Sequence, residues 1–250
     1  MDKLGFIVQA RLGSTRLPNK MKMPFYENIS IPEIIISKIK ERFPKADIIL
    51  ATTINEKDNY FDRLTRNLGI KIFRGSEENV LKRFIDAAEF NNIKKIIRIC
   101  ADNPFLDINE LDVLISSIDD SEYISFKVNG KPSILTHFGF WAEYITLDAL
   151  RKIEVSTNES HFKEHVTNYV YSNPDKFKIK FINPMDEVIG RENIRMTIDT
   201  SDDFKNLAFI YKQLKARYPD NFGIKEIINF LDENPEMLNL MSQQIEQNSK

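Results

Sequence analysis

Apolar residues follow two alternating rhythms through the first hundred positions. Short β-branched runs at 4–10, 47–52, 70–73 and 94–100 predict strands. Between them, apolar residues recur every three or four positions and predict helices. In the first helix, 31–43, the stripe is Ile31, Ile34, Ile35, Ile39 and Phe43, and Pro44 ends it. The second, 56–68, closes on Gly69 in the left-handed cap position. The third runs to Phe90 with Ser76 as its cap and Glu78 and Asn79 in its first turn. Strand, helix, strand, helix in that order predicts an α/β fold with a mostly parallel sheet and helices on both faces.

Past residue 121 the rhythm changes. Extended stretches at 123–126, 133–136 and 138–145, with Asn129-Gly130-Lys131-Pro132 as a turn, predict an antiparallel insertion over about 121–145, laid against one edge of the sheet. Helical spacing returns at 147–153 and 159–171. Residues 177–182 and 194–199 read as strands, and 204–217 and 224–231 as amphipathic helices. The polar stretch 237–250, ending a helical tail from about 220, is expected to fray. With no linker and no repeat, residues 1–250 read as a single domain.

Composition narrows the classes. A chain of 250 residues, 42% hydrophobic, suits one large domain. Its 35 Lys and Arg against 37 Asp and Glu leave a net charge of −2, which argues against a general nucleic-acid binder. Cys100 is the sole cysteine, so no disulfide forms within the chain, and a reducing, cytoplasmic setting fits. The first residues enter a strand without a signal-peptide pattern, and no apolar run approaches the ~20 residues of a membrane span.

Against that near-neutral background one loop stands out. Gln9-Ala10-Arg11-Leu12-Gly13-Ser14-Thr15-Arg16-Leu17-Pro18-Asn19-Lys20 sets three cations and two hydroxyls, with no acid among them, directly after a buried strand. Such a loop suits a polyanion, above all a nucleoside triphosphate; the competing reading is a solvated surface turn. It is not a Walker A loop, because the Gly-Lys-Ser/Thr ending is missing. Two acids stand at predicted strand ends, Asp102 and Asp199, where open parallel sheets place their ligands. They read equally as ligands of a nucleotide-bound Mg²⁺ or as turn residues. Asp107 reads as the cap of a helix over 108–118, and Ser201, Asp202 and Asp203 as first-turn residues of the helix that follows.

These motifs, taken in order, resemble the cytidylyltransferases of the spore-coat-polysaccharide type, relatives of the CMP-sialic acid and CMP-KDO synthetases. The resemblance lies in the loop from Gln9 to Lys20, in Phe73-Arg74-Gly75-Ser76-Glu77-Glu78-Asn79-Val80-Leu81-Lys82-Arg83-Phe84, and in Arg98-Ile99-Cys100-Ala101-Asp102-Asn103-Pro104. It continues in Glu164-His165-Val166-Thr167 with Tyr169, and in Arg195–Asp199-Thr200 with Asp203, so it covers residues 4 to about 210. It implies a GT-A-like nucleotidyltransferase fold, CTP as donor, Mg²⁺ as cofactor and pyrophosphate as by-product. By the same resemblance, Gln9, Ala10, Arg11, Ser14, Arg16 and Lys20 serve the nucleotide, with Arg11 and Lys20 in the catalytic set. Arg74, Gly75 and Ser76 lie near the nucleotide or the acceptor, and Asp102 and Asp199 hold the metal. Glu164 and His165, with Glu143 and Trp141, fall where the acceptor is expected: a sugar, sugar acid or phosphonate.

One position departs from the pattern. Relatives often carry Gly, an apolar residue, Asp, any residue and Glu, whereas here Gly139-Phe140-Trp141-Ala142-Glu143 puts a tryptophan at the aspartate. Trp141 reads either as a pocket wall or as packing, of the insertion or of the contact of a homodimer such as relatives often form. His161 and His165, four apart, have the spacing of a metal pair, of acceptor hydrogen bonding or of capping. Two rival readings are a nucleotide-sugar glycosyltransferase, against which the absence of an Asp-x-Asp motif at 102–104 speaks, and a nucleotidyltransferase using another NTP.

Overall fold

Strand β1 (Leu4–Gln9) has its four central residues buried, as expected of a strand covered on both faces. A computed structural model describes residues 2–247. On either side of β1 lie β2 (Asp47–Thr53) and β4 (Lys95–Cys100), both parallel to it, and β3 (Lys71–Gly75) pairs parallel with β2. Alternate residues of β1 feed two cores: Phe6 and Val8 pack on the side of helix α1 (Ile31–Arg42), and Ile7 on the side of α3 (Val80–Phe90). The Ile stripe of α1 is almost wholly buried, and Gly69 closes α2 (Tyr60–Leu68) in the left-handed region at φ 62°.

The antiparallel segment does not lie against an edge. Strand β7 (Glu143–Thr146) is inserted between β4 and β5 (Tyr123–Val128), antiparallel to both, giving the order β3-β2-β1-β4-β7-β5. Two antiparallel steps restore direction, so β5 runs with β4, and β8 (Ile179–Ile182) joins β5 in parallel. The short β6 (Lys131–Pro132) pairs with β5 at the rim. The sheet is thus mixed and mostly parallel, as the alternation of strands and helices predicted.

Four local expectations change. Asn79, rather than Ser76, caps α3: its Oδ1 accepts from Lys82 N at 2.9 Å, while Ser76 Oγ is used one turn upstream on Asn79 N at 3.0 Å. Residues 133–136 contain a 3₁₀ turn (Ser133–Leu135), and 138–142 stay out of the ladder, because Gly139 at φ 64° breaks the extended run. The helix expected over 159–171 splits into α6 (Ser160–Glu164) and α7 (Asn168–Ser172), and the break turns Val166 into the core. The tail does not fray up to residue 247. After α8 (Ser201–Arg217) and α9 (Ile224–Glu233), Pro235 opens α10 (Pro235–Gln247), which is anchored by the buried Met241. Residues 248–250 of the expected tail lie outside the described residues. Among the described residues no helix is long and apolar enough to cross a membrane.

Candidate active site

The polar loop leaves the carboxyl end of β1 and is pinched at its neck. Leu12 N donates to the buried Asp58 (2.8 Å), and Asn19 N donates to Leu12 O (3.0 Å). Asn19 sits at φ 65°, a conformation asparagine tolerates better than most residues. The turn sends Lys20 back beneath the loop. There Lys20 is only 6% exposed, donates to Ile198 O, and lies 3.3 Å from Asp102 Oδ2. A buried ammonium needs such partners, because desolvation alone would cost several kcal/mol (order of magnitude).

Asp199 is not at a strand end. Residues 194–199 are extended but join no ladder, because their amides go to two different loops: Met196 N to His137 O (2.7 Å) and Ile198 N to Asp102 O (3.2 Å). This arrangement still brings the Asp199 segment to Asp102. The Asp199 carboxylate is held from both sides, by Arg16 Nη2 at 2.7 Å and Arg195 Nη2 at 3.1 Å. Arg195 is fully enclosed and also grips Asp203 through Nε (2.7 Å) and Nη2 (2.9 Å), while Nη1 donates to His137 Nδ1 (2.7 Å). Asp203 accepts from the Asp199 and Thr200 amides and, with Thr200, forms the capping box of α8. Burial raises the Asp203 carboxyl, but Arg195 and the two amides outweigh it and hold it below the usual carboxylate range.

Two cavities open here. The first, about 260 Å³, is walled by the β1 loop, including Gln9, Ala10, Arg11, Ser14, Arg16 and Lys20, and by Asp102 and Asp199. The second, about 570 Å³, lies toward β7 and α6 and is lined by Trp141, His165 and Arg98 among others. Gln9, Arg16, Cys100, Asp102, Glu164 and Asp199 belong to both, so the two cavities meet along a common wall. Arg11 Nη2 reaches Glu164 at 3.7 Å, linking that wall to the loop.

Other expected residues sit elsewhere. Arg74 is committed to the 53–62 turn: it bonds Thr53 O (3.0 Å), Asn55 O (2.8 Å) and Asp62 (2.8 Å) and lines neither cavity. Gly75 and Ser76 line neither cavity either. Gly75 is packed against the Arg83 side chain, and Ser76 O accepts from Arg83. Glu143, too, lines neither cavity. It is 2% exposed and takes hydrogen bonds from Arg98, Tyr123 and Thr167, so it orients Arg98, which does face the second cavity. Arg98 was missed, although a lone arginine inside the apolar strand Lys95–Cys100 is a readable anomaly. Arg195 and Asp203, spaced four on either side of Asp199, were readable in the same way. His161 and His165 lie on one side of the last turn of α6, where His165 N donates to His161 O (2.9 Å). Their rings lie 4.8 Å apart, and Asn168 Nδ2 donates to His161 Nε2.

Comparison with known proteins gives a consistent picture. The family model described as cytidylyltransferase matches residues 5–233. An uncharacterised protein of Methanocaldococcus jannaschii is 39% identical over 94% of this chain and 93% of its own. The spore coat polysaccharide biosynthesis protein SpsF of Bacillus subtilis is 31% identical over 94% and 97%. Among solved structures, a cytidylyltransferase from Leptospira borgpetersenii superposes with a TM-score of 0.83 at 26% identity, over 95% of this chain and 97% of that one. A CMP:2-keto-3-deoxy-manno-octonic acid synthetase complexed with CTP shares the fold, with a TM-score of 0.64 at 12% identity, over 85% and 99%.

Proposed function

The chain belongs to the cytidylyltransferase family and is a CTP-dependent nucleotidyltransferase, and from that premise we propose that it transfers CMP from CTP to a sugar-type acceptor, with release of pyrophosphate, in the synthesis of a surface glycan. The observation that carries this reading is the common wall: a polar, cation-lined cavity and a larger neighbour meet at Asp102 and Asp199. The triphosphate fits the first cavity, where Arg11, Arg16 and Lys20 offset its charge. The acceptor fits the second, with its reacting oxygen at the seam. The glycan role rests on the similarity to the Bacillus protein, and the lone Cys100 thiol supports a reducing, cytoplasmic setting.

Transfer of this type asks the protein mainly for positioning and charge neutralisation. The acceptor oxygen forms a bond to the α-phosphorus as the bond to the β-phosphate oxygen breaks, and the acceptor proton leaves to solvent. Among the described residues no group of three or more His, Cys, Asp or Glu is arranged to hold a metal. The donor set still suits Mg²⁺, which commonly takes one or two carboxylates and completes its shell with phosphate oxygens and water. Asp102 and Asp199 would hold the ion, which supplies charge neutralisation on the phosphates and a more acidic acceptor hydroxyl. Arg16 and Arg195 hold the Asp199 carboxylate from both sides, and Lys20 ties Asp102 to the 194–199 segment.

The test is pyrophosphate release from CTP, Mg²⁺ and a panel of sugar, sugar-acid and phosphonate acceptors. The expected result is release that falls about 10²–10³-fold in both Asp102→Asn and Lys20→Ala, with unchanged circular dichroism. Wild-type rates in Asp102→Asn remove the metal assignment. Release of a nucleoside diphosphate from nucleotide sugars would instead identify a glycosyltransferase.

A further inference from the structure

The lining of the second cavity includes three large apolar side chains, Ile134 and Leu135 from the 3₁₀ turn and Trp141. None of the three lines the triphosphate cavity. Leu135 is 41% exposed, a large apolar side chain presented at the cavity rather than folded into the core. Trp141 cannot swing away. Its Nε1 donates to Glu110 Oε2 (2.9 Å), its ring stacks on Phe126 (5.5 Å between centroids), and Phe138 and Phe140 meet it edge-on. Gly139 holds the turn before it at φ 64°, where a Cβ would come within 2.9 Å of Met196 O.

The charges point the same way. Beyond the common wall, Arg98 is the permanent cation lining this cavity among the described residues, and its charge is already paired with Glu143. Thr197 Oγ1 and Arg98 Nε are buried there without a hydrogen-bond partner among the described residues. That leaves hydrogen-bonding capacity in the same cavity as these apolar side chains, beside a cation whose charge is already paired.

We propose that this apolar part of the lining is a specificity subsite, with Trp141 and Leu135 as specificity-determining residues, for an acceptor bearing a small apolar substituent of the acyl or short-alkyl class. A buried methyl-sized group is worth about 1–3 kcal/mol, or roughly 10–200-fold in selectivity. The inference rests on the cytidylyltransferase reading, because that reading makes the second cavity the acceptor's.

Trp141 is the chain's only tryptophan, so its fluorescence reports on the subsite directly. With CTP and Mg²⁺ absent, the protein is titrated with two charge-matched pairs: a nonulosonic acid bearing an acetamido group against its counterpart with a hydroxyl at that carbon, and N-acetylglucosamine 1-phosphate against glucose 1-phosphate. Tighter binding of an acetamido member, by about tenfold or more, is the expected result, with the preference reduced severalfold in Leu135→Ala. Calorimetry follows the same preference in Trp141→Phe, where it should also fall. Equal affinity within both pairs, including no binding of any member, overturns the inference, as does a preference that Leu135→Ala and Trp141→Phe leave intact. A separate calorimetric titration with Mg²⁺ and CTP distinguishes the two levels: if CTP fails to bind, the functional reading falls, whereas CTP binding without acyl preference removes only the subsite.

Discussion

Single residues decide how well the site is held. Arg195 and Asp203 form a buried pair behind Asp199, and removing one member of such a pair strands the other. Asp203→Asn should therefore cost about 3–5 kcal/mol by urea denaturation near neutral pH. The Asp203 carboxyl is held below its unfolded value, so its stabilisation is complete above the ordinary carboxylate range and is lost as pH falls through the depressed folded value. The gap between wild type and Asp203→Asn should accordingly shrink as the denaturation series is taken into acid; a gap independent of pH would mean that the carboxylate charge is not what matters. Glu110 moves the opposite way: burial raises its carboxyl against the lowering effect of the Trp141 hydrogen bond.

At the scale of elements, one carboxylate joins distant parts of the chain. Asp107 Oδ1 accepts from Asn109 N (2.8 Å) and Glu110 N (3.2 Å) at the start of α4 (Ile108–Ser116), and Oδ2 accepts from Ile224 N (2.8 Å) at the start of α9. Gly223 lets the two approach, since a Cβ there would fall 2.7 Å from Asp107 Oδ2. Capping two helices at about 1 kcal/mol each, Asp107→Ala should lower stability by about 2 kcal/mol in denaturant melts, and a loss no larger than a surface substitution would show that the second cap is idle. The cap of α4 was legible in the sequence because it is local, and the link to α9, 117 residues away, was not. The same division runs through the fold. Helices and parallel strands up to Cys100 follow from periodicity, because each buries one stripe or two faces. Residues 194–199 have a strand's apolar alternation, yet their amides are claimed by His137 and Asp102. Pattern records burial, and the hydrogen-bond partner depends on chain brought in from elsewhere. In the site, the loop cations and both aspartates were readable, whereas the retreat of Arg74 and Glu143 from the cavities depends on neighbours that no local motif encodes.

At the scale of the molecule, the two cavities and the segments that wall them form one thermodynamic unit. CTP bound with Mg²⁺ at about 100 times its dissociation constant adds about 2.7 kcal/mol of stability. For a domain of this size, at about 2–4 °C per kcal/mol, that is a rise in Tm of roughly 5–10 °C. A thermal-shift screen across the four NTPs should give the largest rise with CTP, and an equal rise with all four would remove the base preference. The place of β7 in the sheet bears on how this unit comes into being. On the ribosome, β4 emerges long before its neighbour at Glu143–Thr146, so the nascent chain carries the apolar edge of Lys95–Cys100 unpaired while more than forty further residues are synthesised. The carbonyl of Ile198 that receives Lys20 is made later still. The polar loop after β1 is thus translated long before the carbonyl that locks it, and a translational pause between β4 and β7 should be where this protein most needs a chaperone.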